Sequence, residues 1–318
     1  MKRVVLLVMI VVTMLIAGSC DATPKTDDLN QTIKETPSAN DPAKEAKETP
    51  SANDPASTEP VPSENELQWI VSDGKNVVER INVPKGFERV ETEQNSFAEF
   101  VREYPLKEDG SPVMLHNGSL KSSQDDHVAV FDMYLGERNL QQCADSVMRM
   151  YAEYYYQAKK YDKIKFHFVS GFLFEYKKWQ KGYRVSVDGN EVNWVKKTGN
   201  DNSPEVFEKY LTTLFSYAST ISLAKESKTI KLSELAIGDI FIKPGSPGHV
   251  VLVVDVCTND DGEKAFLLAQ GYMPAQSFHI IKNPLHEDDP WYYLSELEWP
   301  FITQEYTFPE NSLMRIEW

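Results

Sequence analysis

Three side chains of this 318-residue chain could together perform hydrolytic chemistry: Cys143, His249 and Gln270. A cysteine thiolate is an intrinsically strong nucleophile, a histidine can take its proton near neutral pH, and a third polar group can hold the imidazole in one orientation. His249 stands at the mouth of an apolar strand, Gly248-His-Val-Val-Leu-Val-Val-Asp255, directly after Pro247-Gly248, which reads as a type II turn. A rigid strand would fix the ring and a turn would expose it. Gln270 is the polar end of the following strand, and Cys143 lies 106 residues upstream of His249 in a helical segment.

Each candidate also has a plainer reading. Cys143 falls on the same helical stripe as Val147, Met150, Tyr151 and Tyr154, so it can be a small core residue. A helix N-terminus lowers a thiol pKa, but only within its first turn. With Asn139 as N-cap and Gln142 completing a capping box, Cys143 falls at the fourth position, where that effect fades. His249 can be a strand-end histidine satisfied by a carbonyl. Gln270 can orient a ring, serve as an oxyanion donor, or be a strand-end amide, and His279 competes with it one strand later. Cys257 is eight residues beyond His249 on the same strand, about 26 Å away at roughly 3.3 Å per residue, so it reads as structural. Ser246 lies in Gly-Ser-Pro-Gly, where proline blocks a nucleophile elbow.

The elements that would carry these residues are legible from capping and alternation. Ser96 and Glu99 form a capping box for a helix that stops before Pro105. His127 to Leu135 alternates as a strand, a long helix follows to about Lys159, and Lys165 to Phe174 alternates again. Tyr183–Val187 and Val192–Val195 form a hairpin across Asp188-Gly-Asn190, and Ser203-Pro204 opens a helix to about Leu223. Strands follow at Ile240–Ile242, Val250–Val256, Ala265–Gln270 and His279–Lys282, and Trp291 to Trp318 reads as irregular. Helices first and antiparallel strands later predict an α+β domain over residues 67–318.

The N-terminal residues belong to a different class. Lys2-Arg3 precedes an apolar run from Val4 to Ile16 and the small residues Ala17-Gly-Ser19, the pattern of a secretory signal peptide. Residues 21–66 lack aromatic residues, and Lys34–Ala43 recurs unchanged as Lys47–Ala56. Such a segment cannot bury enough apolar area to offset ordering, so it reads as a disordered acidic tether. The whole chain carries −15, of which about −10 falls on residues 67–318. That excludes the basic footprint a nucleic-acid binder needs. No CxxC, HExxH or clustered His/Asp spacing calls for a metal, and no motif calls for a cofactor. Cys143 and Cys257 could pair in an oxidising compartment or remain free.

Two resemblances add to this reading. Small residues directly before Cys20 resemble a bacterial lipobox, which implies residues 1–19 as a lipoprotein signal, lipidation of Cys20 and attachment to an envelope membrane; ordinary secretion is the alternative. Gly238-Asp-Ile-Phe241 followed by Gly248-His-Val-Val-Leu-Val resembles the second half of papain-like amidases and peptidases of the CHAP and NlpC type. That implies a papain-like fold with helices packed on an antiparallel sheet, Cys143 as nucleophile, His249 as base, Gln270 as orienter, and cell-wall peptide as substrate. Over about Phe97 to Asn283, through Gln141-Gln-Cys-Ala-Asp-Ser-Val, Ser246-Pro-Gly-His-Val-Val and Leu268-Ala-Gln-Gly-Tyr-Met-Pro-Ala-Gln276, the chain also resembles an uncharacterised bacterial lipoprotein family, domain of unknown function 4846. The expectation is an envelope lipoprotein that is either a thiol hydrolase or a non-catalytic binding or assembly protein on the same scaffold.

Overall fold

A computed structural model describes residues 68–318, which lie in one compact unit spanning Pro62–Trp318. The expected signal peptide, the tether and Cys20 lie outside the described residues. In chain order the elements are α1 Val77–Arg80, β1 Phe87–Arg89, α2 Phe97–Glu103, β2 His127–Val130 and α3 Cys143–Gln157. Then come β3 Lys165–His167, β4 Leu173–Glu175, α4 Tyr176–Gln180, β5 Tyr183–Asp188, β6 Glu191–Lys196, α5 Pro204–Phe215 and α6 Thr220–Lys225. The C-terminal half holds β7 Ser227–Thr229, β8 Ile240–Lys243, β9 His249–Asn259, β10 Lys264–Gln270 and β11 His279–Ile281. Short strands close the chain: β12 Tyr292–Tyr293, β13 Phe301–Ile302, β14 Thr307–Phe308 and β15 Leu313–Ile316.

The fold is mixed α+β around an antiparallel sheet. The main sheet runs β2-β11-β10-β9-β8-β15-β7, with β1 added to the far end of β9 and β12 to β10. β9 and β10 form its centre and are buried on both faces from His249 to Cys257 and from Ala265 to Gln270. Alternation assigns the faces. Val250, Leu252 and Val254 join the core under the helices, with Val147, Met150 and Tyr151 of α3. Val251 and Val253 face the opposite way, into a second core with Phe241, Phe266, Phe301 and Phe308. Helices thus cover one face, and the C-terminal β13–β14 hairpin covers the other.

Several sequence expectations change at this level. The strand expected to reach Leu135 stops at Val130, and Phe131 makes only an isolated bridge to Leu106. Lys165 to Phe174 is two short strands folded back across Gly171, which holds φ +87°. The helix expected to run from Ser203 to Leu223 breaks near Ser216, and Ser219 caps a new helix by accepting from Ile221 N–H. Trp291 to Trp318 is not irregular: it supplies four short strands, and β15 pairs with β7 and β8 inside the main sheet. Both described cysteines, Cys143 and Cys257, are buried and free, so no disulfide joins them. No described helix is long and apolar enough to cross a membrane, and no cluster of metal-ligating side chains occurs among the described residues.

Two ion pairs on one buried carboxylate tie the N-terminal elements to the sheet. Asp255 on β9 is fully buried and accepts from Arg89 Nε at 2.7 Å, Arg102 Nε at 2.6 Å and Val256 N–H at 2.8 Å. Arg102 also donates to the carbonyls of Val90 and Val256. Removing one partner leaves a buried charge undercompensated, which typically costs about 3–5 kcal/mol. Arg102→Ala is therefore expected to lower unfolding stability by that order in urea titration; a loss below about 1 kcal/mol would mean that Arg89 suffices alone.

Candidate functional site

Cys143 opens α3. The N-cap is Gln142, so Cys143 is the first helical residue and not the fourth. The shift has a local cause. Asn139, expected as the cap, instead uses its side-chain oxygen to accept from Ala275 N–H at 2.8 Å and Gln142 Nε2 at 3.3 Å. The carboxylate of Asp145, third in the helix, accepts from Gln142 N–H at 3.1 Å and marks the true start. Cys143 therefore stands where helix-start N–H groups can act on a thiol.

His249 is the first residue of β9 and is 2% exposed. Its Nε2 lies 2.7 Å from Gln270 Oε1. An amide oxygen only accepts, so Nε2 carries the proton and Nδ1 holds the free lone pair. Among the described residues Nδ1 has no hydrogen-bond partner. The ring is enclosed by aromatic side chains: Tyr272 at 4.7 Å, Tyr306 at 4.9 Å and Phe308 at 6.0 Å between centroids. The turn before it is not type II. The Ser246–Pro247 peptide is cis, and Gly245 rather than Gly248 holds the left-handed φ, +120°. Gly248 is required for room: a β-carbon there would lie 2.4 Å from Gly245 O and 2.7 Å from Thr220 Oγ1.

His249 and Gln270 are joined directly, whereas Cys143 comes to the same end of β9 from the helix side and makes no hydrogen bond to either. The Cys143 sulfur lies against the backbone N–H of Val250, the residue after His249, and against those of Ala144 and Cys143 itself. Tyr272 packs on His249, and burial, then Glu305 and Tyr306 and last Cys143, raise its phenol pKa. Gly271, where the chain leaves β10, permits the approach of α3. A β-carbon on Gly271 would sit 2.5 Å from Ser146 Oγ and 3.0 Å from Gln142 O. His249 and Gln270 project toward the C-terminal hairpin, while Cys143 reaches the strand end from the helix side.

His279 is elsewhere. Its Nδ1 donates to Ser277 O at 2.8 Å, and burial, the largest cause, holds its pKa down to about 3. It makes no bond to His249, so the orienting contact belongs to Gln270. Cys257 is buried in β9 opposite Ala265 and Arg89, far along the strand from His249. Two residues were missed in the sequence. Glu305 accepts from Gln270 Nε2 at 2.5 Å, and Lys121 lies 3.0 Å from its other oxygen. Neither sits in a motif, and both arrive through long-range loops.

Electrostatics keep the pair neutral at rest. Burial first, then the Asp145 carboxylate, pushes the Cys143 thiol up to about 11, against the lowering effect of the surrounding N–H groups. Burial pulls His249 down to about 4, only partly countered by Gln270. Thiol and imidazole are the stable forms at neutral pH, so proton transfer between them would accompany attack and not precede it.

Compared with known proteins, the chain matches one family model, described as domain of unknown function 4846, over residues 77–315. That span is wider than the Phe97 to Asn283 expected from motifs. No curated protein and no solved structure matches the chain.

Asp145 gives the electrostatic account a direct check. Its buried carboxyl is pushed up to about 8 by desolvation, and its Oδ1 has no partner. The folded state thus keeps a proton that the unfolded chain releases near 3.8, and stability is lost as pH rises from there toward 8. Asp145→Asn should remove this slope, up to about 1.4 kcal/mol per pH unit, and be more stable than the parent at pH 8. The same substitution should lower the pH at which Cys143 becomes alkylated. An unchanged alkylation profile would show that Asp145 does not act on the thiol.

Proposed function

We propose that this chain, which belongs to the family described as domain of unknown function 4846, is a papain-like thiol amidase or peptidase of the bacterial cell envelope. The observation that carries the reading is an imidazole whose tautomer is fixed by Gln270 at the start of β9, with the helix-start thiol of Cys143 against the backbone of the next residue, Val250. Attack requires the thiol and the ring to close to hydrogen-bond reach; Nδ1 of His249 then takes the Cys143 proton as the sulfur bonds to an amide carbonyl carbon. The N–H groups at the start of α3 would stabilise the oxyanion. The C–N bond then breaks, the imidazolium returns its proton to the leaving amine, and water hydrolyses the thioester with His249 again as base.

The N-terminal sequence and the CHAP and NlpC resemblance support the proposed location and substrate. A lipid on Cys20 would hold the protein at a membrane, and the acidic segment 21–66 would let the domain reach peptide in the wall. Incubation with purified peptidoglycan should release new amino groups, and Cys143→Ala and His249→Ala should each reduce release by about a thousandfold or more. Release that persists in a folded Cys143→Ala protein would end this reading.

A second reading, a non-catalytic envelope binding or assembly protein on this scaffold, is favoured by one fact: Cys143 and His249 are only 6% and 2% exposed. Tyr272, half-buried over the imidazole, is the side chain that a substrate must displace. Tyr272→Ala should raise the alkylation rate of Cys143 at pH 8 several-fold. A thiol equally inert in parent and variant would favour the binding protein.

A further inference from the structure

The orienting contact at His249 depends on which end of the Gln270 amide faces the ring. With oxygen inward, His249 keeps its proton on Nε2 and presents Nδ1 as the base. With nitrogen inward, the amide would donate to Nε2, the proton would move to Nδ1, and no ring nitrogen would keep a free lone pair to act as a base. Gln270 is fully buried, and nothing within the amide itself selects one end.

The selection comes from the C-terminal hairpin. Glu305, in the turn between β13 and β14, lies 2.5 Å from Gln270 Nε2. An ionised carboxylate only accepts, so it demands the amide nitrogen and turns the oxygen toward His249. On its other oxygen Glu305 pairs with Lys121, whose ammonium lies 3.0 Å from Oε1 and 2.7 Å from Asp126 Oδ2. Gln304, next in the same turn, donates to Asp126 Oδ1 at 3.1 Å. On the remaining side His279 Nε2 lies 3.9 Å from Glu305 Oε2 as a bare acceptor, so it offers no competing proton. His127 packs behind His279 at 5.9 Å between centroids.

We propose that Glu305 is a positioning residue, one residue removed from the imidazole, that sets the tautomer of His249 by fixing the orientation of the Gln270 amide. Its charge also polarises the chain Glu305–Gln270–His249, so that the imidazolium formed during attack is stabilised through the amide. The consequence for rate rests on the proposed thiol hydrolase. The tautomer itself can be read without it.

The experiment is nitrogen NMR of the intact protein labelled with 15N-histidine, at pH 7, in the parent, Glu305→Ala, Glu305→Gln and Glu305→Asp forms. The parent should show His249 neutral with a protonated Nε2 and bare Nδ1. Glu305→Ala should populate the opposite tautomer, and Glu305→Asp should restore the parental signature. Glu305→Gln keeps the volume, so it serves if the alanine variant does not fold, and it too should show mixed tautomers. Hydrolysis, where present, should fall about 10- to 100-fold with the tautomer change. A parental tautomer in folded Glu305→Ala or Glu305→Gln protein would overturn the inference, whatever the melting temperature does. A tautomer change in a protein whose parent releases no amine would sustain the inference and count against the hydrolase.

Discussion

Asp255 is the constraint on which the rest of the molecule depends. The run Val250-Val-Leu-Val-Val254 is apolar on both faces, and both faces are buried. Such a strand could slip by one residue and still bury valines, because no alternation of apolar and polar residues penalises the slip. Register must therefore come from polar anchors. At one end Asp255 engages Arg89 and Arg102, and at the other His249 engages Gln270. A slip would strand a buried carboxylate and a buried imidazole together, at a cost of several kcal/mol for the charge alone.

A correctly registered β9 places His249 at its first residue, where β10 ends and Gly271 lets α3 come close. The resulting site balances two opposed effects on Cys143. The helix start favours the thiolate by about 0.3–1 kcal/mol. Burial wins: a thiol moved from 9.0 to about 11 disfavours its thiolate by about 3 kcal/mol. Cys143 therefore rests as a thiol and His249 as a neutral imidazole, the latter packed against Tyr272 and Tyr306 and oriented by Gln270.

Much of this was legible in the chain where the signal was local. Ser96 caps α2 by accepting from Glu99 N–H, the Gly189-Asn190 turn joins β5 to β6, and β8 pairs with β9 where two apolar runs flank a Gly- and Pro-rich turn. The position of Cys143 was misread because Asn139, a good cap by residue type, is drawn off by Ala275 from a segment 136 residues away. The C-terminal strands were missed because each is two to four residues long, too short for periodicity to register, and is stabilised by pairing across the sheet. Glu305 was invisible for the same reason. Its role is defined only by the fold that carries the β13–β14 turn to Gln270.

Proton transfer from Cys143 to His249 is the central step of the proposed reaction. The direct measurement is the pH dependence of Cys143 acylation by an uncharged activated ester, followed by mass, in the parent protein and in His249→Ala. With His249 as base, acylation of the parent should persist well below neutrality and fall as pH drops toward about 4, the pKa that burial gives this ring. His249→Ala should react only as the thiolate forms, rising toward about 11. Superimposable profiles in the two proteins would contradict the account and leave Cys143 a core thiol beside a buried histidine.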